Sequence, residues 1–169
     1  GVRTLLVDRQ DFAAGATSAS SRMIHGGLRY LENGELRLVR ESLRERDRLL
    51  RLASHAVRPL PTTIPIFSRW SGFGNALNRF FGGRGRPAAR GAALVKIGLT
   101  LYDVLTARRR VLPRHHFTSK KAALGQRPGL HPDIVCTATY HDAQVALPER
   151  LCLELIADAC ALPAQVMPL

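Results

Sequence analysis

The densest chemistry lies in one short run, Ala16-Thr17-Ser18-Ala19-Ser20-Ser21-Arg22-Met23-Ile24-His25-Gly26-Gly27-Leu28-Arg29-Tyr30. Four hydroxyls, from Thr17, Ser18, Ser20 and Ser21, precede a His-Gly-Gly and then an Arg-Tyr pair. Hydroxyls and free backbone N–H groups in such a bend can satisfy the oxygens of a pyrophosphate. Gly26 and Gly27 carry no Cβ, so a flat ring could lie against the backbone there. Arg29 offers a planar fork suited to a carboxylate or a phosphate. A serine-rich loop leading into a helix accounts for the same composition without any ligand.

Asp8 is the second feature. It closes the apolar run Val2 to Val7, which reads as a buried strand of a parallel sheet. A carboxylate at that end of a strand can accept both hydroxyls of an adenosine ribose. It can equally be a surface acid at a strand end. Only seven residues precede it, so a glycine-rich turn upstream is missing or never existed. The absence of an initiating Met likewise leads us to expect an internal piece of a longer protein.

The elements that must position these groups follow from periodicity. Leu36, Val39, Leu43, Leu50 and Ala53 repeat at helical spacing over Glu35–Ala53, with Arg46 interrupting the stripe. The remaining charges read as a solvated face, with Asp47 and Arg51 as a favourable pair one turn apart. Pro59-Leu60-Pro61 begins an extended stretch through Ile66. Trp70, Phe73, Leu77, Phe80 and Phe81 share a helical face, either core or interfacial. Gly82 to Pro87 breaks regular structure. Residues 92–105 return to helix, 108–121 form a basic connector, and 147–159 form a last helix. This gives three parts: 1–58 around the hydroxyl bend, a basic helical and loop insertion over 59–129, and a return segment over 130–169.

Composition narrows the class. The 169 residues are 46% hydrophobic, enough for a core, with 25 basic against 13 acidic side chains. Thirteen of the basic residues fall between Arg69 and Arg127, against one acid, Asp103. Such a stretch calls for an anion nearby: phosphorylated substrate, nucleic acid or lipid headgroups. It lacks interleaved aromatics for base stacking, so nucleic acid is not expected. The three cysteines have no CxxC spacing and read as reduced cytosolic thiols. His115, His116, His131 and His141 lack zinc spacing, and no metal is expected. Gly72-Phe73-Gly74 is too short for a phosphate loop. No apolar run reaches the length of a spanning helix.

Residues 5–31, from Leu5-Leu6-Val7-Asp8 through Gln10-Asp11 to the Ala16–Leu31 run, closely resemble the FAD-dependent glycerol-3-phosphate dehydrogenase family. The similarity continues through the 35–53 helix and returns at Lys96–Asp103 and at Tyr140–Leu151. The resemblance implies an α/β fold: a partial FAD-binding domain, Rossmann-like and of glutathione-reductase type, with a mostly helical insertion. It implies FAD as cofactor and oxidation of sn-glycerol 3-phosphate to dihydroxyacetone phosphate. Electrons would pass to a quinone or another acceptor, with the protein cytoplasmic or peripheral on the inner face of the cell membrane. Asp8, Thr17, Ser18, Ser20, Ser21, Met23, Ile24, Gly26 and Gly27 then fall on cofactor-binding positions. His25, Arg29 and Tyr30 fall on the catalytic, substrate-facing ones.

The departures shape the expectations. Residues 69–91 look inserted. Ala146-Leu147-Pro148-Glu149 stands where many relatives carry an acidic pair, which leaves room for a related flavin oxidase or dehydrogenase of another hydroxy substrate. The 169 residues alone are expected to bind FAD weakly or not at all and to be inactive. A basic anion- or membrane-binding module is the non-enzymatic alternative.

Overall fold

The structure, a computed structural model, describes residues 7, 9–31, 34–71, 91–107 and 111–161; of Arg29 it describes the backbone alone. Nine elements follow in chain order: β1 (Met23–Ile24), α1 (Leu28–Leu31), α2 (Leu36–Leu52), β2 (Val57–Ile66), α3 (Ala92–Thr106), β3 (His116–Ser119), α4 (Lys120–Gln126), β4 (Cys136–Val145) and α5 (Pro148–Ala161). The architecture is mixed α/β, as the sequence leads one to expect. The strand expected over Val2–Val7 lies outside the described residues apart from Val7, and Asp8 lies outside them too.

The chain divides into two compact units, Gly1–Met23 with Val145–Leu169, and Ile24–Gln144. The sequence places its boundaries elsewhere, at 58 and 129.

The larger unit is organised by β4. The strand order is β1-β4-β2, with β3 also paired to β4. Since β2 lies on one edge of β4, β3 and β1 occupy successive stretches of the other. The β3–β4 pairing is antiparallel, with His116 opposite Thr139 and Ser119 opposite Cys136. β2 carries three prolines, Pro59, Pro61 and Pro65, which have no N–H to donate. A strand so interrupted belongs at a sheet edge, where only one side is paired, and β2 ends the strand order. The Thr63 and Thr139 hydroxyls meet at 2.9 Å between β2 and β4.

Helices α2 and α3 supply the apolar cover. Val39 and Leu43 from α2 join Leu31 and Tyr102 in one buried cluster. Val95 and Leu99 from α3 join Ile66 of β2 and Ala138 of β4 in a second. Leu28 and Tyr140 pack against both clusters and make them continuous. Burying side chains of this size stabilises the fold by about 1.5–3 kcal/mol each.

The basic connector expected over 108–121 holds β3 and the start of α4. β3 uses Phe117 against the second cluster, and α4 opens on Ser119, whose Oγ accepts the Ala122 N–H at 3.5 Å. Trp70 lies in a bend and is three-quarters exposed; Phe73 to Phe81 fall outside the described residues. The two ends of the 71–91 stretch meet. The Gly91 N–H donates to the Ser71 carbonyl at 2.8 Å, and the Ala92 N–H to that of Ser68 at 2.9 Å. A Cβ on Gly91 would stand 2.7 Å from the Ser71 nitrogen, so only glycine permits the approach.

The smaller unit contains the hydroxyl bend and α5. Pro148 occupies the start of α5, where a missing N–H costs nothing, and Glu149 follows in the first turn.

Candidate functional site

The bend over 9–22 is built from turns rather than from a core. Turn bonds shape it, Ala14 N–H to the Asp11 carbonyl at 3.2 Å, Ser18 N–H to that of Ala13 at 3.2 Å and Ser20 N–H to that of Thr17 at 3.4 Å, and at its end the Arg22 carbonyl accepts the Val145 N–H at 2.9 Å. Ala13 (φ 61) and Arg22 (φ 60) adopt the left-handed region that side chains rarely enter. They bracket the four hydroxyl residues. Small side chains cannot bury much area, so the bend faces solvent: Ser18, Ser20 and Ser21 are exposed and Thr17 half-buried.

The hydroxyls are not equivalent. The Ser18 hydroxyl donates to the Gly15 carbonyl at 2.9 Å and lies 3.1 Å from that of Ala14. Ser20 Oγ accepts the Arg22 N–H at 3.3 Å, which keeps its own proton for another acceptor. At Gly15 no atom of the described residues, its chain neighbours aside, lies within 4 Å of where a Cβ would stand.

The second part of the motif, Ile24 to Tyr30, belongs to the larger unit. His25 is exposed, with its ring centroid 6.2 Å from that of Tyr30 and inclined by 50°. Gly26 and Gly27 are buried between the exposed His25 and the half-buried Leu28. Gly27 (φ 80) turns the chain into α1, and its carbonyl accepts the Tyr30 N–H at 2.9 Å.

The missing Cβ at Gly26 has a reason inside the chain. The Tyr102 hydroxyl stands on the spot a Cβ would take, with Leu43 Cδ2 at 2.5 Å. The Gly26 N–H donates to Asp142 Oδ1 at 2.9 Å.

Asp142 belongs to a buried polar network on which the motif rests. Its Oδ1 also accepts from Arg46 Nη1 at 2.9 Å and from the Tyr102 hydroxyl at 2.6 Å. Arg46 Nη1 donates further to the Tyr102 oxygen at 2.8 Å and to the His141 carbonyl at 3.2 Å. Arg46 Nε and Nη2 reach Asp47 Oδ1 at 3.1 and 2.8 Å. Arg46, Asp47, Tyr102 and Asp142 are all at most 5% exposed. A charge interrupting the apolar stripe of α2 is therefore not on the solvated face. Arg46 and Asp47 both turn inward.

The electrostatics follow from that enclosure. Burial works against the charge on Arg46, but Tyr102, Asp47 and Asp142 outweigh it and hold the guanidinium above its ordinary value. Burial, and then the charge of Asp142, push the Tyr102 phenol well up, so it stays a neutral donor. Tyr140, edge-on to Tyr102 with centroids 6.0 Å apart, is raised for the same two reasons, with Thr62 working the other way. His141 is held down by burial and then by His116, and its Nδ1 is buried without a hydrogen-bond partner among the described residues. The cleft between Arg46, Tyr102, Tyr140 and His141 measures about 10 Å³, room for one water molecule and not for a substrate.

Sequence reasoning passed over Arg46 and Tyr102. The signal for Arg46 was present: a cation at a position where the helical repeat calls for an apolar side chain implies a buried partner.

A family model described as "FAD dependent oxidoreductase" matches residues 1–167. Over 164 residues, 94% of the chain, the sequence is 40% identical to a protein named Glycerol-3-phosphate dehydrogenase from Synechocystis sp.. It is 38% identical over 86% of its length to Glycerol-3-phosphate dehydrogenase 2 of Mycobacterium bovis. It is 34% identical over 85% of its length to the mitochondrial Glycerol-3-phosphate dehydrogenase of Bos taurus. The chain spans 26%, 22% and 18% of the lengths of these three relatives.

Proposed function

The chain belongs to the FAD-dependent oxidoreductase family, and from that premise we propose that it serves the oxidation of sn-glycerol 3-phosphate to dihydroxyacetone phosphate. The observation that carries the reading is the 40% identity over 94% of the chain to a protein named for that reaction. The structure supports it by leaving Ser18, Ser20, Ser21, His25 and Tyr30 of the motif exposed.

FAD, when bound, supplies the acceptor for the hydride that leaves C2. The residues present fit such a group. The exposed hydroxyls of Ser20 and Ser21, the half-buried Thr17 and the open face of Gly15 let a pyrophosphate or a polyol chain approach the backbone. Ser18 must turn its proton away from Gly15 to donate outward. Asp8, Met23, Ile24, Gly26 and Gly27 complete the set expected to hold the cofactor.

His25, Arg29 and Tyr30 make the substrate-facing set. Arg29, in α1 just past Gly27, suits the phosphate by its bidentate fork. An imidazole such as His25 can take the hydroxyl proton as the alcohol is oxidised. Electrons go on to a quinone, with the protein peripheral on the inner face of the cell membrane. The family resemblance and the thirteen basic residues of 61–129 support that placement against anionic headgroups. Among the described residues no helix is long and apolar enough to cross a membrane.

The test is anaerobic addition of sn-glycerol 3-phosphate to the intact flavoprotein, following visible flavin absorbance. Bleaching is expected, and Arg29→Ala should raise KM about ten- to hundredfold through loss of a charge-assisted pair. Bleaching by another hydroxy compound and not by glycerol 3-phosphate would reassign the substrate. The sequence Ala146–Glu149 keeps that second reading in play.

A further inference from the structure

We infer that Asp142 is a positioning residue for the His25–Tyr30 segment. Its carboxylate, held by Arg46 and Tyr102, fixes the peptide unit joining His25 to Gly26 and with it the presentation of His25 and α1. The inference rests on the proposed function for what that segment does, and on the geometry alone for how it is held.

One oxygen, Asp142 Oδ1, takes three donors from three places: the Gly26 N–H, Arg46 Nη1 of α2 and the Tyr102 hydroxyl of α3. Two of these partners are themselves fixed. Arg46 is tied to Asp47 and to the His141 carbonyl, and Tyr102 accepts from Arg46 while donating to Asp142. The carboxylate therefore cannot rotate without breaking several bonds at once. Its third donor, itself buried, belongs to the segment that carries the exposed His25 and Tyr30. Movement of that segment toward α3 is blocked, because the Tyr102 hydroxyl fills the space beside the Gly26 α-carbon.

What is fixed at Gly26 passes on directly. Gly27 sets the left-handed turn, and its carbonyl accepts the N–H groups of both Tyr30 and Leu31. Leu31 is anchored in the core beside Val39 and Leu43. Catalytic groups on such a segment need placement to within a fraction of an ångström, and a misplacement of about 1 Å can cost about a hundredfold in rate.

The experiment compares Asp142→Ala, Asp142→Asn and Val95→Ala in the full-length, flavin-loaded enzyme. Val95→Ala serves as a core change in the same unit, compared at matched loss of stability. The readouts are kcat per bound flavin with glycerol 3-phosphate, and the exchange rate of the Gly26 amide. Asp142→Ala should lower kcat about a hundredfold and speed Gly26 exchange at least tenfold. Asp142→Asn keeps an acceptor of the same shape for the Gly26 N–H, so it should recover most of the amide protection and part of kcat. Val95→Ala should change neither. Equal kcat losses in Asp142→Ala and Val95→Ala, or an unchanged Gly26 amide, would overturn the inference. Should Asp142→Ala fail to fold, Asp142→Asn carries the same comparison against Val95→Ala. A wild-type enzyme that ignores glycerol 3-phosphate strikes the substrate reading. An active wild type with an indifferent Asp142 strikes the positioning role.

Discussion

The phenol of Tyr102 occupies the place where residue 26 would otherwise carry its first side-chain carbon. Gly26→Ala therefore drives a methyl group into a hydroxyl that two buried charges hold in place. A cost of about 1–3 kcal/mol or more is expected, typical of overpacking. In a Tyr102→Phe background the same substitution should cost at least about 1 kcal/mol less. The penalty will not vanish, because Leu43 Cδ2 still lies 2.5 Å from the new methyl. Urea unfolding of the four-member cycle measures the coupling; additivity would refute it.

Arg46 and Arg48 are neighbours on α2 with opposite fates. Arg46→Met leaves the Asp47 and Asp142 carboxylates without their cation, and a loss of about 3–5 kcal/mol is expected. Arg48 sits 3.6 Å from Glu45 with both side chains more than 60% exposed. Arg48→Ala should change stability by no more than about 0.5 kcal/mol. Paired denaturation curves decide, and similar shifts for the two would remove the network from the core of the stability.

Alkali should act through the tyrosines. The Tyr102 and Tyr140 phenols lie above the ordinary tyrosine value of 10.0 in the folded state. Above that value the unfolded chain loses these protons and the folded chain keeps them. Stability is then whole below pH 10.0 and declines as pH rises past it. Tyr102→Phe should flatten that decline, read as melting temperature against pH. An equally steep alkaline limb in the variant would contradict the assignment.

On the acid side His141 is the sensor. Its folded pKa lies below the ordinary histidine value of 6.5. As pH falls through 6.5 the unfolded chain takes up a proton that the folded chain resists, so stability drops below that point. His116→Ala should soften the drop by removing the second cause of the shift, with His141 followed by NMR titration. A His141 pKa that does not rise in the variant would rule out His116 as a contributor.

Helices α2, α3 and α5 were legible because each repeats apolar residues along one face. β2 was legible because prolines exclude helix. The hydroxyl bend showed in composition alone: residues with too little side chain to bury end up in solvent. β4 was opaque. Its residues Thr137, Thr139 and Asp142 are polar yet buried, so no alternation marks the strand. β3 and α4, at four and seven residues, are too short to repeat a pattern. The network failed to show for a related reason. Arg46, Tyr102 and Asp142 lie 40 to 96 residues apart in sequence, and only the fold gives them a common address.

The hydrogen bond between Ser71 and Gly91 closes a doorway in the chain. Traffic through it need not disturb the rooms on either side, since lengthening a closed excursion adds only about 0.6 kcal/mol per doubling. Evolution is therefore free to resize or exchange what hangs there while β2 and α3 keep their register. Lineages should differ most in length at that one spot, and an engineer seeking a graft point for a reporter domain would choose it first.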